Sequence, residues 1–140
     1  MKKEKIIVDT NIIIDVFTKR EPHFASSKKL LKMCEDGTLI GHISASTATD
    51  IYYIVNKYSD RQTAEDALGH VLSFITVIDV TGEDVMEAYS RHSPDFEDCL
   101  LGICALRSGI SRIVTRDKTG FNNCGIPFLS ADQIIQEYEG

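Results

Sequence analysis

Two short apolar runs that end in acid constrain the fold more than any other feature of this chain. Ile6-Ile7-Val8 stops at Asp9, and Ile113-Val114-Thr115 reaches Asp117 two residues later. Short apolar runs of this kind read as strands of a parallel sheet covered on both faces. Further apolar runs alternate with longer segments of helical period, which is the pattern of an α/β fold. Strands are expected at 5–8, 39–43, 74–80, 111–115 and 126–129. Helices are expected at 11–17, 23–36 and 83–91, from Ser44 or Ser46 to about 57, and from Asp60 to about 72. Another opens at Pro94 or Asp95 and runs to Ser108, where Gly109 stops it. Ser130, with Gln133 three residues on, opens a last helix through a capping-box variant.

The acids matter because of where the strands leave them. In open α/β sheets, ligands bind beyond the carboxyl ends of the strands. Asp9 and Asp117 both sit at such ends, and Asn11 and Thr10 are close enough in sequence to orient Asp9. Asp98 shares a helix face with Gly102 and Ala105, small residues that allow close approach to the sheet. Asp50 falls one or two turns into the helix after the second strand, near the same edge if that strand flanks the first. Taken singly, each acid has a plainer reading. Asp9 is a helix cap, Asp117 a turn residue and Asp50 a solvent-facing acid, while Asp95 and Glu97 complement a helix dipole.

Four carboxylates converging without a cation would repel one another and raise each other's pKa. Oxygen donors suit magnesium or manganese. Such a site activates water and stabilises a leaving oxygen, so phosphodiester cleavage is its natural chemistry. No Ser/His/Asp or Cys/His set and no Gly-rich phosphate loop competes with it.

Bulk properties narrow the alternatives. The 140 residues suit a single domain spanning 1–140. No stretch approaches a membrane span, and the first apolar run is too short for a signal peptide, so a cytoplasmic protein is expected. Cys34, Cys99, Cys104 and Cys124 form no Cys-x-x-Cys pair and read as reduced core thiols. The four histidines are scattered without ligand spacing. The net charge of −6 argues against non-specific coating of nucleic acid. It leaves room for a local basic rim, for which Arg116 and Lys118 beside Asp117 are the best phosphate-contact candidates. An acidic chain would also pair well with a basic segment of an inhibitor.

The segments Val8-Asp9-Thr10-Asn11, 43–54 around Asp50, Asp95-Phe96-Glu97-Asp98 and Val114-Thr115-Arg116-Asp117-Lys118 with Phe121 resemble, in order and spacing, the PIN domain. The likeness covers nearly the whole chain and is closest to stand-alone bacterial proteins similar to VapC-type toxins of toxin–antitoxin pairs. It implies a three-layer α/β/α sandwich with a central parallel sheet of strand order 3-2-1-4-5. It also implies a magnesium- or manganese-dependent ribonuclease, a homodimer and a separately encoded antitoxin. By this resemblance the acids are Asp9, Asp50, Asp98 and Asp117, with metal at Asp9, Asp98 and Asp117 and with Asn11 and Thr115 as helpers. The family usually has glutamate where this chain has Asp50, one methylene shorter, and Glu97 is the nearest stand-in. Two other readings compete. Haloacid-dehalogenase-like phosphoryl transfer needs an acid where Asn11 stands. A PIN scaffold that binds RNA or protein with little or no cleavage is the non-enzymatic alternative.

Overall fold

The computed structural model describes residues 3–122 and 124–140. In chain order the elements are β1 (Lys5–Val8), α1 (Thr10–Phe17), α2 (Phe24–Glu35), β2 (Ile40–Ser44), α3 (Ala45–Tyr58) and α4 (Arg61–Leu72). They continue with β3 (Thr76–Ile78), α5 (Gly82–Ser90), α6 (Phe96–Arg107), β4 (Arg112–Val114), β5 (Phe128–Leu129) and α7 (Ala131–Glu139). The strands form one sheet in the order β3-β2-β1-β4-β5. Every pairing is parallel: Ile6 lies opposite Gly41 on β2, and Ile7 opposite Ile113 on β4.

The two-residue period of a strand divides β1 between two cores. Ile6 and Val8 pack with Ile12, Leu30, Ile51, Val71 and Ile134, drawn from α1, α2, α3, α4 and α7. Ile7 points the other way, into a cluster with Ala88 of α5, Leu101 and Ile103 of α6, and Phe121. Ile6, Ile7 and Val8 are each 0% exposed, so past Lys5 the central strand has no wet face. This is the three-layer sandwich with the expected strand order.

Helix starts follow the capping residues in the sequence. Ser44 accepts from the Thr47 amide and so is the cap chosen over Ser46. Asp60, Thr81 and Asp95 open α4, α5 and α6, and Ser130 with Gln133 makes a reciprocal capping box on α7. The third strand is shorter than 74–80. The amides of Phe74 and Ile75 donate back to the Val71 carbonyl, so the end of α4 consumes them. The fifth strand is shorter than 126–129. Gly125 turns the chain at φ 72°, and Pro127 has no N–H to give to a ladder.

Parallel pairing carries the carboxyl ends of all five strands to one edge. The chain leaves β1 toward β2 on one side, and β4 takes up the other side. The strand order therefore reverses beside β1, where such folds form a crevice.

Candidate active site

Asp9 is the first residue past β1 and the cap of α1. Its Oδ1 accepts from the Thr10 amide at 2.8 Å, which is the cap bond. Its Oδ2 accepts from the Thr115 hydroxyl at 2.7 Å and from the Asn11 side-chain amide at 3.2 Å. Both expected helpers thus touch the same oxygen. Burial pushes the Asp9 carboxyl above its ordinary range despite those bonds, and the charges of Asp117 and Asp95 add to the rise.

Asp117 is placed by its own backbone. Its amide donates to the Thr115 hydroxyl at 3.0 Å, and its Oδ1 accepts from the amides of Thr119 and Gly120 at 2.9 and 2.8 Å. Oδ2 is left facing Asp98. Asp98 sits in the first turn of α6, its amide held by Asp95 Oδ1 at 3.0 Å. Its Oδ2 is buried and receives no N–H or hydroxyl donor, and the group beside it is the Asp117 carboxyl. Burial, the adjoining Asp117 carboxyl and the charges of Asp9 and Asp95 push Asp98 up to about 9. The proton it shares with Asp117, with help from the Thr119 and Gly120 amides, holds Asp117 at about 2. At neutral pH the pair behaves as two carboxyls with one proton.

One carboxylate oxygen each from Asp95, Asp98 and Asp117 lie within 4.8 Å of one another. Gly120 makes room for this. A Cβ there would fall 1.8 Å from Asp98 Oδ2 and 2.3 Å from Asp117 Oδ2. An orphaned buried oxygen, an all-carboxylate donor set and a wall without a side chain fit a hard divalent cation.

A cleft of about 540 Å³ adjoins this cluster and is lined by Asp9, Asp50, Asp98 and Asp117. Glu97 also lines it, and burial and the neighbouring Asp50 carboxyl raise the Glu97 pKa, with smaller contributions from Asp9 and Asp95. All four expected acids therefore line one crevice, and Glu97 joins them there. Asp50, Ile54 and Lys57 share one face of α3 at helical spacing and all line the cleft, as does Arg20.

Arg116, expected at a phosphate, is engaged elsewhere. Its Nε and Nη2 donate to the two oxygens of Asp15 at 2.7 and 3.0 Å, and Asp15 is fully buried. A buried carboxylate demands a counter-charge, and Arg116 is the one it has. Lys118 stays exposed and lines a neighbouring hollow with Ser130 and Gln133. Sequence reasoning passed over Asp95, Gly120, Arg20 and Lys57. Asp95 was legible as a helix cap, but not as the neighbour of Asp117. The cysteines are free and buried, and among the described residues no helix is long and apolar enough to cross a membrane.

Comparison with known proteins agrees with the geometry. The family model described as PIN domain matches residues 5–119. Ribonuclease VapC1 of Aquifex aeolicus (strain VF5) is 23% identical over 143 residues, 99% of this chain and 98% of that protein. The crystal structure of Mycobacterium tuberculosis VapC20, a Sarcin-Ricin loop cleaving toxin, superposes with TM-score 0.70 at 18% identity, covering 86% of this chain and 95% of that one. VapBC2 from Rickettsia felis, bound to a DNA fragment from their promoter, gives TM-score 0.66 at 18% identity over 90% of this chain and 98% of that one.

Proposed function

The chain belongs to the PIN domain family, and from that premise we propose that it is a magnesium- or manganese-dependent endoribonuclease, the toxin of a toxin–antitoxin pair. The observation that carries this reading is the meeting of Asp95, Asp98 and Asp117 within 4.8 Å beside the orphaned Asp98 oxygen. A likeness to a named ribonuclease along the whole chain supports it.

In this reading Asp98 and Asp117, with Asp95 and Asp9 around them, hold the cation. When bound, the cation lowers the pKa of a water and stabilises negative charge on the leaving oxygen. Thr115 and Asn11 keep Asp9 Oδ2 in one orientation, which fixes the edge of the site nearest β1. The carboxyls of Asp50 and Glu97 also line the cleft, and Glu97 holds a proton to higher pH than a free glutamate. They are the groups placed to take a proton from the attacking water or return one to the leaving oxygen. The pair also answers the missing methylene at Asp50, because Glu97 brings a carboxyl to the same cleft. Arg20 and Lys57 line the cleft and supply phosphate contacts for a single RNA strand, with Lys118 outside it. The partner is an antitoxin with a basic segment suited to an acidic cleft, as toxin–antitoxin complexes among the structural relatives suggest. Exposed Tyr53 and Tyr58 on α3 fit a homodimer face, and the protein acts in the cytoplasm.

The test is RNA cleavage with manganese, with chelator, and with Asp9→Asn. Cleavage that needs the metal and disappears in Asp9→Asn is expected. Cleavage that survives both overturns the mechanism. A folded protein that binds RNA or antitoxin but neither cleaves nor responds to metal is the scaffold alternative.

A further inference from the structure

We propose that Asp15 and Arg116 are positioning residues of the nuclease site, a buried clamp that sets where Asp117 and Thr115 stand relative to Asp9 and Asp98. The proposal rests on the nuclease reading above. Residues 115–117 leave β4 and meet α1 at three successive points. The Thr115 hydroxyl donates to Asp9, the Arg116 amide donates to Asn11 Oδ1 at 3.4 Å, and the Arg116 guanidinium grips Asp15 through two nitrogens. Asp117 makes no such bond to α1. Its amide hangs on the Thr115 hydroxyl, and its carboxyl on the amides just after it. Its place beside Asp98 is inherited from its two neighbours.

The chemistry of the clamp suits positioning more than adhesion. A buried ion pair replaced by apolar residues of similar volume often leaves stability unchanged, so its retention needs another reason. Two parallel N–H bonds from a planar fork fix direction as well as distance, which one ammonium cannot do. Asp15 is itself held, because Ser27 of α2 donates to its Oδ2 at 3.2 Å. The clamp therefore refers the Asp117 turn to α1, whose Asn11 also holds Asp9, and through Ser27 to α2, none of whose residues lines the cleft. Loss of such an outer partner typically costs about tenfold to a hundredfold in metal affinity.

The test compares the full chain with the double variant Asp15→Asn/Arg116→Met and with Arg116→Lys. Removing both charges leaves no uncompensated buried ion, so the double variant folds. Amide hydrogen exchange reads the Asp117, Thr119 and Gly120 amides, and a manganese titration followed by thermal shift reads the site. In the double variant exchange at these three amides accelerates about tenfold or more while the β1 amides of Ile6 to Val8 keep their protection, and the manganese midpoint rises about tenfold. Arg116→Lys falls between. Unchanged exchange and midpoint overturn the clamp, and so does an acceleration shared equally by the β1 amides, which would mark a merely stabilising pair. A wild-type chain indifferent to manganese overturns the nuclease reading instead, and the exchange arm still decides the clamp.

Discussion

The two edges of the sheet treat charge in opposite ways, although the same two strands build both. At the amino end of β1 and β4, Arg112 donates to Glu4 through Nε and Nη2 at 2.6 and 2.9 Å, and to Glu137 of α7 at 2.8 and 2.9 Å. Tyr138 and Ser111 also donate to Glu4. Every acid there has a partner, and Arg112 with its hydrogen bonds holds Glu4 below the usual glutamate range. At the carboxyl end, Asp9, Asp95, Asp98 and Asp117 converge, Arg116 next to Asp117 in the chain is turned to Asp15, and Asp98 is pushed up to about 9. One edge is a finished structural lock. The other gathers carboxylates whose repulsion a cation would relieve, as the proposed nuclease function requires.

The largest expected effect breaks the functional edge alone. Asp98→Asn removes the orphaned oxygen's charge, so RNA cleavage should fall more than about a hundredfold and the manganese-dependent rise in Tm should vanish. The metal-free Tm should hold at neutral pH, because Asp98 there already carries the proton it shares with Asp117 and the variant's amide can donate in its place. Cleavage rates and thermal melts with and without manganese check this. An Asp98→Asn protein that melts much earlier would show that the carboxyl edge is as structural as the amino edge, and the contrast would be lost.

Gly120→Ala should come next. The added methyl would occupy the space now 1.8 Å from Asp98 Oδ2, so either the turn or the two carboxylates must move. Metal affinity should weaken about tenfold or more, measured by titration, while all charges remain. A wild-type manganese midpoint in this variant would mean the cation is held elsewhere in the cleft.

Arg112→Met makes the reverse cut. It should cost about 1–3 kcal/mol of stability in urea unfolding, because Glu4 loses its main partner at a partly buried site. The manganese midpoint should not move, since the lock and the site share strands but no side chain.

These contrasts also show what the sequence could and could not disclose. Asp9 and Asp117 are legible because strand length and the parallel rule put any residue just past an apolar run at one known edge. Asp98 is legible because Gly102 and Ala105 mark its helix face as a close-packed one, although Gly102 lies against Cys124 and Ile126 ahead of β5 and not against a strand. Helix caps at Ser44, Asp60 and Ser130 are local chemistry and are read from neighbours in the chain. The ion pairs are not. Arg116 and Asp15 are 101 residues apart, and Arg112 and Glu4 are 108 apart, so only the register of the sheet decides which arginine is spent and which is free. Arg116 looked like a phosphate ligand by proximity to Asp117, whereas Arg20 and Lys57 carry no local sign of the cleft that they line. The β3 and β5 boundaries were overrun for a related reason. Apolar runs mark burial, but the α4 carbonyls and Pro127 decide which residues join the ladder.

The smallest effect is the most discriminating, because Glu4 at one edge and Asp98 at the other should bend the pH profile of metal-free stability in opposite senses. Asp98 is raised to about 9, so between its ordinary value and 9 the folded chain binds a proton that the unfolded chain has released. Stability from that edge therefore falls as pH climbs through this window. Glu4 is lowered from the ordinary glutamate value, so its contribution is complete above that value and disappears as pH drops through the folded pKa. Melts in chelator from pH 3 to 9, at about 1-unit steps, should show a Tm that rises out of acid and then sags by a few degrees toward alkaline pH. Arg112→Met should remove only Glu4's share of the acid limb, since Asp84 and Asp117 are also held down, at about 2, and should leave the alkaline limb. Asp98→Asn should do the converse, and saturating magnesium should abolish the alkaline sag, because the cation takes the place of the proton. An alkaline limb that persists in Asp98→Asn would move the stored repulsion to Asp9 and Glu97, the other carboxyls of the cleft whose pKa is raised.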